Sequence, residues 1–100
     1  MTNPERTKEL LSFYVAKSDL KGIMIKLATC ESGLKDICIT DTNNKLSCGI
    51  FMFQRGTFQH FCPDLKWNNS VKDDIICAER IIKKGLMSNH WVNCSRTILK

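Results

Sequence analysis

Apolar positions recur along this chain in short stripes separated by polar turns, and most of the stripes have helical spacing. Leu10, Leu11, Tyr14 and Val15 fall on one face of a first helix. Asn3 is placed to cap that helix and Pro4 to occupy its first position, where a missing N–H costs nothing. A second start signal, Ser18-Asp19, precedes Leu20, Ile23, Met24, Leu27 and Ala28 at the same spacing. Gly33 suits the left-handed position just past a helix end, so Glu31 falls in the last turn. Ser70-Val71-Lys72-Asp73 has the form of a capping box, with Asp for the usual Glu. The stripe Val71, Ile75, Ala78 and Ile82 follows it, and Gly85 ends the helix.

Between these helices the pattern changes. Residues 34–48 are polar, contain Asp41-Thr42-Asn43-Asn44, and predict a loop or an irregular β-hairpin. Gly49-Ile50-Phe51-Met52-Phe53 is an apolar run too short for a globular helix. Thr57 is expected to cap a short helix through Phe61 that Pro63 closes. Asn89-His90-Trp91-Val92-Asn93-Cys94 predicts one helical turn and a staple point. Without repeats or low-complexity linkers, residues 1–100 read as one domain, mainly α (α+β), with a small irregular β element.

Composition adds constraints. A domain of 100 residues buries roughly 60–70% of its unfolded surface, so its core is modest and staples matter. Six cysteines fit three disulfides among fifteen possible pairings, with free buried thiols or a metal site as the alternatives. There is no Cys-x-x-Cys pair, and His60-x-Cys62 and His90-x-x-x-Cys94 are irregular spacings for zinc. No metal and no Cys/His nucleophilic site is therefore expected. The net charge of +5 favours an anionic partner: nucleic acid, an acidic membrane or the acidic polymers of a cell wall. Basic residues are not interleaved with aromatics, which argues against nucleic acid. No run reaches membrane-spanning length, and stable membrane insertion is not expected. The first six residues lack an apolar signal-peptide core, whereas the cysteines point to export. A removed leader, a truncated chain or a phage-style release route would each reconcile the two.

Glu31 carries the most chemical information. A carboxylate in the last turn of a helix faces the negative end of the helix dipole, which disfavours its charged form. Its neighbours on that face are Leu27, Ala28 and Leu34, and burial beside them raises the pKa further. An acid kept protonated near neutral pH can protonate a leaving oxygen, as glycosidic cleavage requires. On the residues alone, a solvated helix-end Glu is the plain alternative.

Cys30-Glu31-Ser32-Gly33-Leu34, followed by Ser47-Cys48-Gly49-Ile50-Phe51-Met52-Phe53-Gln54, resembles the Glu-Ser-Gly…Tyr-Gly-Ile-x-Gln pattern of the lysozyme and lytic transglycosylase superfamily. The helix of residues 70–84 and the closing His-Trp-x-x-Cys complete an order similar to that of small bacterial and phage members. The resemblance implies a lysozyme-like fold and cleavage of the β-1,4 bond between N-acetylmuramic acid and N-acetylglucosamine, with Glu31 as the single catalytic Glu and no cofactor. Ser47 stands where animal-type lysozymes carry a second carboxylate, so a nucleophile is missing at that point. Lytic transglycosylases manage with one Glu, and the chain looks more like them. Asp41 could instead orient a water for inverting hydrolysis, as goose-type relatives do with loop aspartates. Its alternative is an Asx-turn beside Thr42 and Asn43, and Asp36 is a weaker candidate.

Met52 occupies a position where the family often has glutamine, and Gln54 could take over a contact to an N-acetyl or hydroxyl group. Ser47 and Gln54 are thus substrate-binding candidates. Phe53 and Trp91 are candidate sugar-stacking surfaces, with core burial as the alternative. By resemblance, Cys30 bonds to Cys94 and pins the C-terminal segment behind the catalytic helix. The expected partner is the glycan strand of peptidoglycan, met by a monomer outside the cytoplasm or in a phage setting. Two readings from other classes stand beside this one. One is a catalytically inactive lysozyme-like module that binds glycan or protein. The other is a small basic disulfide-rich effector that acts on membranes.

Overall fold

A computed structural model describes residues 3–15 and 18–98. In chain order these form α1 (Pro4–Tyr14), α2 (Ser18–Ser32), β1 (Cys38–Thr40), β2 (Leu46–Cys48) and β3 (Phe53–Gln54), then α3 (Arg55–Phe61), α4 (Val71–Lys83), α5 (Met87–His90) and α6 (Val92–Ile98). The fold is mainly helical with a small antiparallel sheet in the order β1-β2-β3. Helix α1 packs on α2 and α4, and α2 also packs on α4 and α6. The core between them is built on Leu11, Leu27, Phe51, Phe58, Ile75 and Ile81, all fully buried. No helix among the described residues is long and apolar enough to cross a membrane.

The helix signals act largely as read. The Asn3 side chain accepts the Arg6 N–H at 2.8 Å, with Pro4 in the first turn. Helix α2 begins at Ser18, whose side chain lies outside the described part of the structure. It ends at Gly33, which adopts φ +68°. Leu34 follows with φ +63°, a conformation that costs a β-carbon about 1–2 kcal/mol and is held here by burial of the side chain.

Other details differ. Only half of the capping box forms: Ser70 Oγ accepts the Asp73 N–H, while the Asp73 carboxylate accepts from Lys66 N and Asn69 Nδ2. The buried face of α4 runs through Val71, Asp74, Ile75, Cys77, Ala78 and Ile81, with Ile82 only partly covered. Helix α3 starts at Arg55 with Gln54 at its cap position, so Thr57 lies inside the helix and does not cap it. Residues 89–94 are not one turn. They hold the end of α5 and the start of α6, with a break at Trp91.

Residues 34–48 contain a β-hairpin, and the apolar run after it leads into a third strand that the sequence pattern did not reveal. Three disulfides close the structure: Cys30–Cys94, Cys38–Cys48 and Cys62–Cys77. The first is the pair implied by resemblance, and it fastens α6 to the end of α2. Cys38 and Cys48 face each other across β1 and β2. Three bonds of this kind fit an extracellular or secreted protein. They also rule out zinc held by Cys62 or Cys94, because neither keeps a thiolate.

Candidate active site

The last turn of α2 and the small sheet meet at a cavity of about 350 Å³. Strand register decides which residues reach it. Ile39 pairs with Ser47 and Ser47 with Gln54, so these three form one cross-strand row on one face. All three line the cavity, and Asp41, two residues beyond Ile39, joins them. The helical part contributes Glu31 from α2 and His90 and Trp91 from the α5–α6 break. Glu31, Asp41, Ser47, Phe53, Gln54 and Trp91, each read from the sequence as a site residue, therefore share one cavity. Asp36 does not line it.

Glu31 is half-buried, and its carboxyl is held above the ordinary value. Desolvation is the main cause, and the nearby negative charge of Asp41 adds to it. A carboxylate oxygen lies within 4.8 Å of both sulfurs of Cys30–Cys94, which are weak hydrogen-bonding groups and replace little of the lost water. Bonded to each other, these sulfurs offer no thiolate for a metal. The adjacent Ser32 hydroxyl reaches the Ile50 carbonyl at 2.8 Å and accepts the Lys35 N–H at 3.2 Å, tying the end of α2 to the segment between β2 and β3.

Asp41 has the opposite character. It is exposed, and its carboxyl is held below the ordinary value by hydrogen bonds from Ser47 first and Gln54 second. The Ser47 hydroxyl donates to Asp41 Oδ2 in a short contact, and Gln54 Nε2 donates to the same oxygen at 2.9 Å. Asp41 opens the turn through its backbone, its carbonyl accepting the Asn44 N–H at 2.9 Å, and the side-chain Asx-turn belongs to a neighbour. Asn43 makes that turn, its Oδ1 accepting the Lys45 N–H at 3.1 Å, which leaves the Asp41 carboxylate free to face the cavity.

Three of the candidates are mostly enclosed. Ser47 is 3% exposed, and its hydroxyl donates its hydrogen bond to Asp41 while lining the cavity. Phe53 and Trp91 are 2% and 5% exposed and pack edge-on at 5.7 Å, so most of each ring belongs to the core while an edge lines the cavity. The Trp91 indole N–H donates to the Phe51 carbonyl at 2.9 Å, and the Trp67 N–H donates to the Phe53 carbonyl at 2.8 Å.

Sequence reasoning missed Ile39, Thr57 and the cavity-lining place of His90, whose pKa is lowered by burial and then by His60. It also missed Asp74, which lies outside the cavity but supports it. Asp74 is 2% exposed, accepts a hydrogen bond from the Ile50 backbone, and leaves Oδ1 without a partner. Gly49 adopts φ +89°, and a Cβ there would overlap the Asp74 carboxyl. A signal was present: position 74 falls on the same helical face as Val71, Ile75 and Ala78. The cavity thus brings together two carboxyls whose surroundings push their pKa values in opposite directions, Glu31 upward and Asp41 downward. No family model matches this chain, and no curated protein or solved structure matches it.

Proposed function

We propose that this protein is a peptidoglycan glycosidase that hydrolyses the β-1,4 bond between N-acetylmuramic acid and N-acetylglucosamine, on a lysozyme-like fold. The observation that carries the reading is the pairing of Glu31 and Asp41, two carboxyls in one cavity whose surroundings push their pKa values apart. Glu31 donates its proton to the glycosidic oxygen as the bond from that oxygen to C1 breaks. Positive charge develops at C1, where ionised Asp41 stabilises it. A water then adds to C1 while Asp41 takes its proton, and exchange with solvent resets both groups.

The Asp41 arrangement favours hydrolysis over transglycosylation, which needs only the Glu. Ser47 and Gln54 favour the ionised form of Asp41 and hold its carboxylate at the cavity, which supports a role for it beyond the turn that it opens. The net charge of +5 would gather the enzyme on an anionic wall. The test combines turbidity loss on purified peptidoglycan with mass spectrometry of the products. Wild type is expected to clear the wall and release reducing ends, and Glu31→Gln is expected to do neither. No clearing by wild type refutes the enzyme reading in favour of a binding module, and clearing by Glu31→Gln refutes Glu31 as the acid. Anhydro-sugar products refute the hydrolytic role of Asp41.

A further inference from the structure

A second cavity, of about 470 Å³, shares Gln54 and Thr57 with the first. Its character is different. Lys45 and Arg55 line it, no carboxylate does, and neither cation forms an ion pair among the described residues. Leu46, 44% exposed, and the half-buried Trp67 supply apolar surface. The Trp67 N–H is already committed to the Phe53 carbonyl, so its ring is fixed in place and has only apolar surface to offer. Gln54 forms the wall between the cavities, held by Asp41 and Asn43. One side of that wall therefore carries two carboxyls and the other carries two cations.

We propose that this second cavity is a subsite for a carboxylate-bearing branch of the glycan, namely the acidic peptide stem of a muramyl residue or, where no stem is attached, its free lactyl carboxylate. The inference rests on the glycosidase reading and extends it. An acidic branch is repelled from the Glu31–Asp41 cavity and attracted to Lys45 and Arg55, while its methyl groups match Leu46 and Trp67. The division of charge thereby sets which way the strand lies: the muramyl branch falls on the Gln54–Thr57 side and the sugar ring falls between the two carboxyls. Subsite contacts of this kind act on ground state and transition state alike, so they belong in KM and not in kcat.

The experiment compares wild type with the double variant Lys45→Gln/Arg55→Gln on three substrates. These are peptidoglycan with intact stems, strands stripped to the lactyl carboxylate by an amidase, and intact strands whose carboxylates are capped as amides. A second double variant, Lys84→Gln/Arg96→Gln, loses the same charge at residues that line neither cavity. The expected result is a KM raised about fivefold to tenfold by the Lys45/Arg55 change on carboxylate-bearing strands, with kcat unchanged and no effect on amidated strands. Loss on stripped strands alone identifies the freed lactyl carboxylate as the ligand, loss on stem-bearing strands alone identifies the stem carboxylates, and loss on both identifies a site that takes either. Equal change on all three substrates, an equal change in the control variant, or no change in KM overturns the subsite. Failure of wild type to cut any of the three overturns the glycosidase reading, a distinct outcome.

Discussion

Replacing Asp74 by Asn should remove a large loss of this protein's stability as pH rises from the carboxylate range to about 8. Asp74 lies in the first turn of α4, buried against Gly49 and Ile50, and its pKa is raised from 3.8 to about 8. Desolvation is the main cause, followed by the negative charges of Asp36 and Asp73, and the Ile50 N–H offsets part of it. The folded protein therefore keeps a proton that the unfolded chain releases once pH exceeds 3.8, and it holds that proton up to about 8. Stability rises with pH only where the unfolded state binds more protons, and here it binds fewer. The Asp74 contribution must then fall steadily across that window and level off above it. Integrated over the window, one proton amounts to on the order of 6 kcal/mol, an upper bound because local rearrangement that admits water reduces it. Asn keeps the shape and an acceptor for Ile50 but cannot ionise. Its own unpaired amide imposes a cost at every pH, so the slope is informative and the absolute stability is not. Thermal melts of both proteins from pH 5 to pH 9 are the assay. Each kcal/mol moves the midpoint by roughly 4–8 °C in a domain of this size, so the offset between the two curves should change by at least about ten degrees from pH 5 to pH 9. Parallel curves would refute the reasoning and show that Asp74 is solvated or ionised in the folded state.

Further outcomes follow from the site and from the elements that hold it. Glu31→Gln should lower peptidoglycan turnover by about 10²–10⁴-fold with little change in melting temperature, measured by turbidity and calorimetry. The pH–rate profile should rise as Asp41 ionises below the ordinary carboxylate range and fall as Glu31 deprotonates above it. Ser47→Ala should shift the acid limb upward by freeing Asp41 from its strongest hydrogen bond, and Asp41→Asn should shift the basic limb downward by removing the charge that helps keep Glu31 protonated. Cys30→Ser/Cys94→Ser should cost about 4 kcal/mol by denaturant titration, since the bond joins residues 64 apart; a loss below about 1 kcal/mol would contradict the loop-closure argument. Gly49→Ala should be more damaging than a helix-surface Ala, because it combines a left-handed φ with an overlap on Asp74, and expression with a melt checks it.

The sequence by itself determined the start of α1, the end of α2 and the start of α4, because caps, prolines and terminal glycines act through the backbone within a few residues. Asn3 and Pro4 at α1, Gly33 after α2 and Ser70 before α4 needed no tertiary information. It also determined that Glu31 ends an apolar helix, since that depends only on spacing. What it could not decide is anything set by register or by a partner distant in the chain. The row Ile39–Ser47–Gln54 exists because three strands pair in one alignment, and a one-residue slip would turn Ser47 away from Asp41. The fate of Ser47, Phe53 and Trp91 was likewise tertiary: each has a side chain suited to meeting substrate, and burial gave the first to Asp41 and most of the other two rings to the core. Asp74 is the clearest instance. An acidic residue in a first helical turn is ordinary local chemistry, favourable to the helix dipole and indistinguishable there from Asp73. Only the closing of the Gly49–Ile50 turn over α4 takes one of the two out of water, and desolvation is a property of the assembled fold, not of the local sequence.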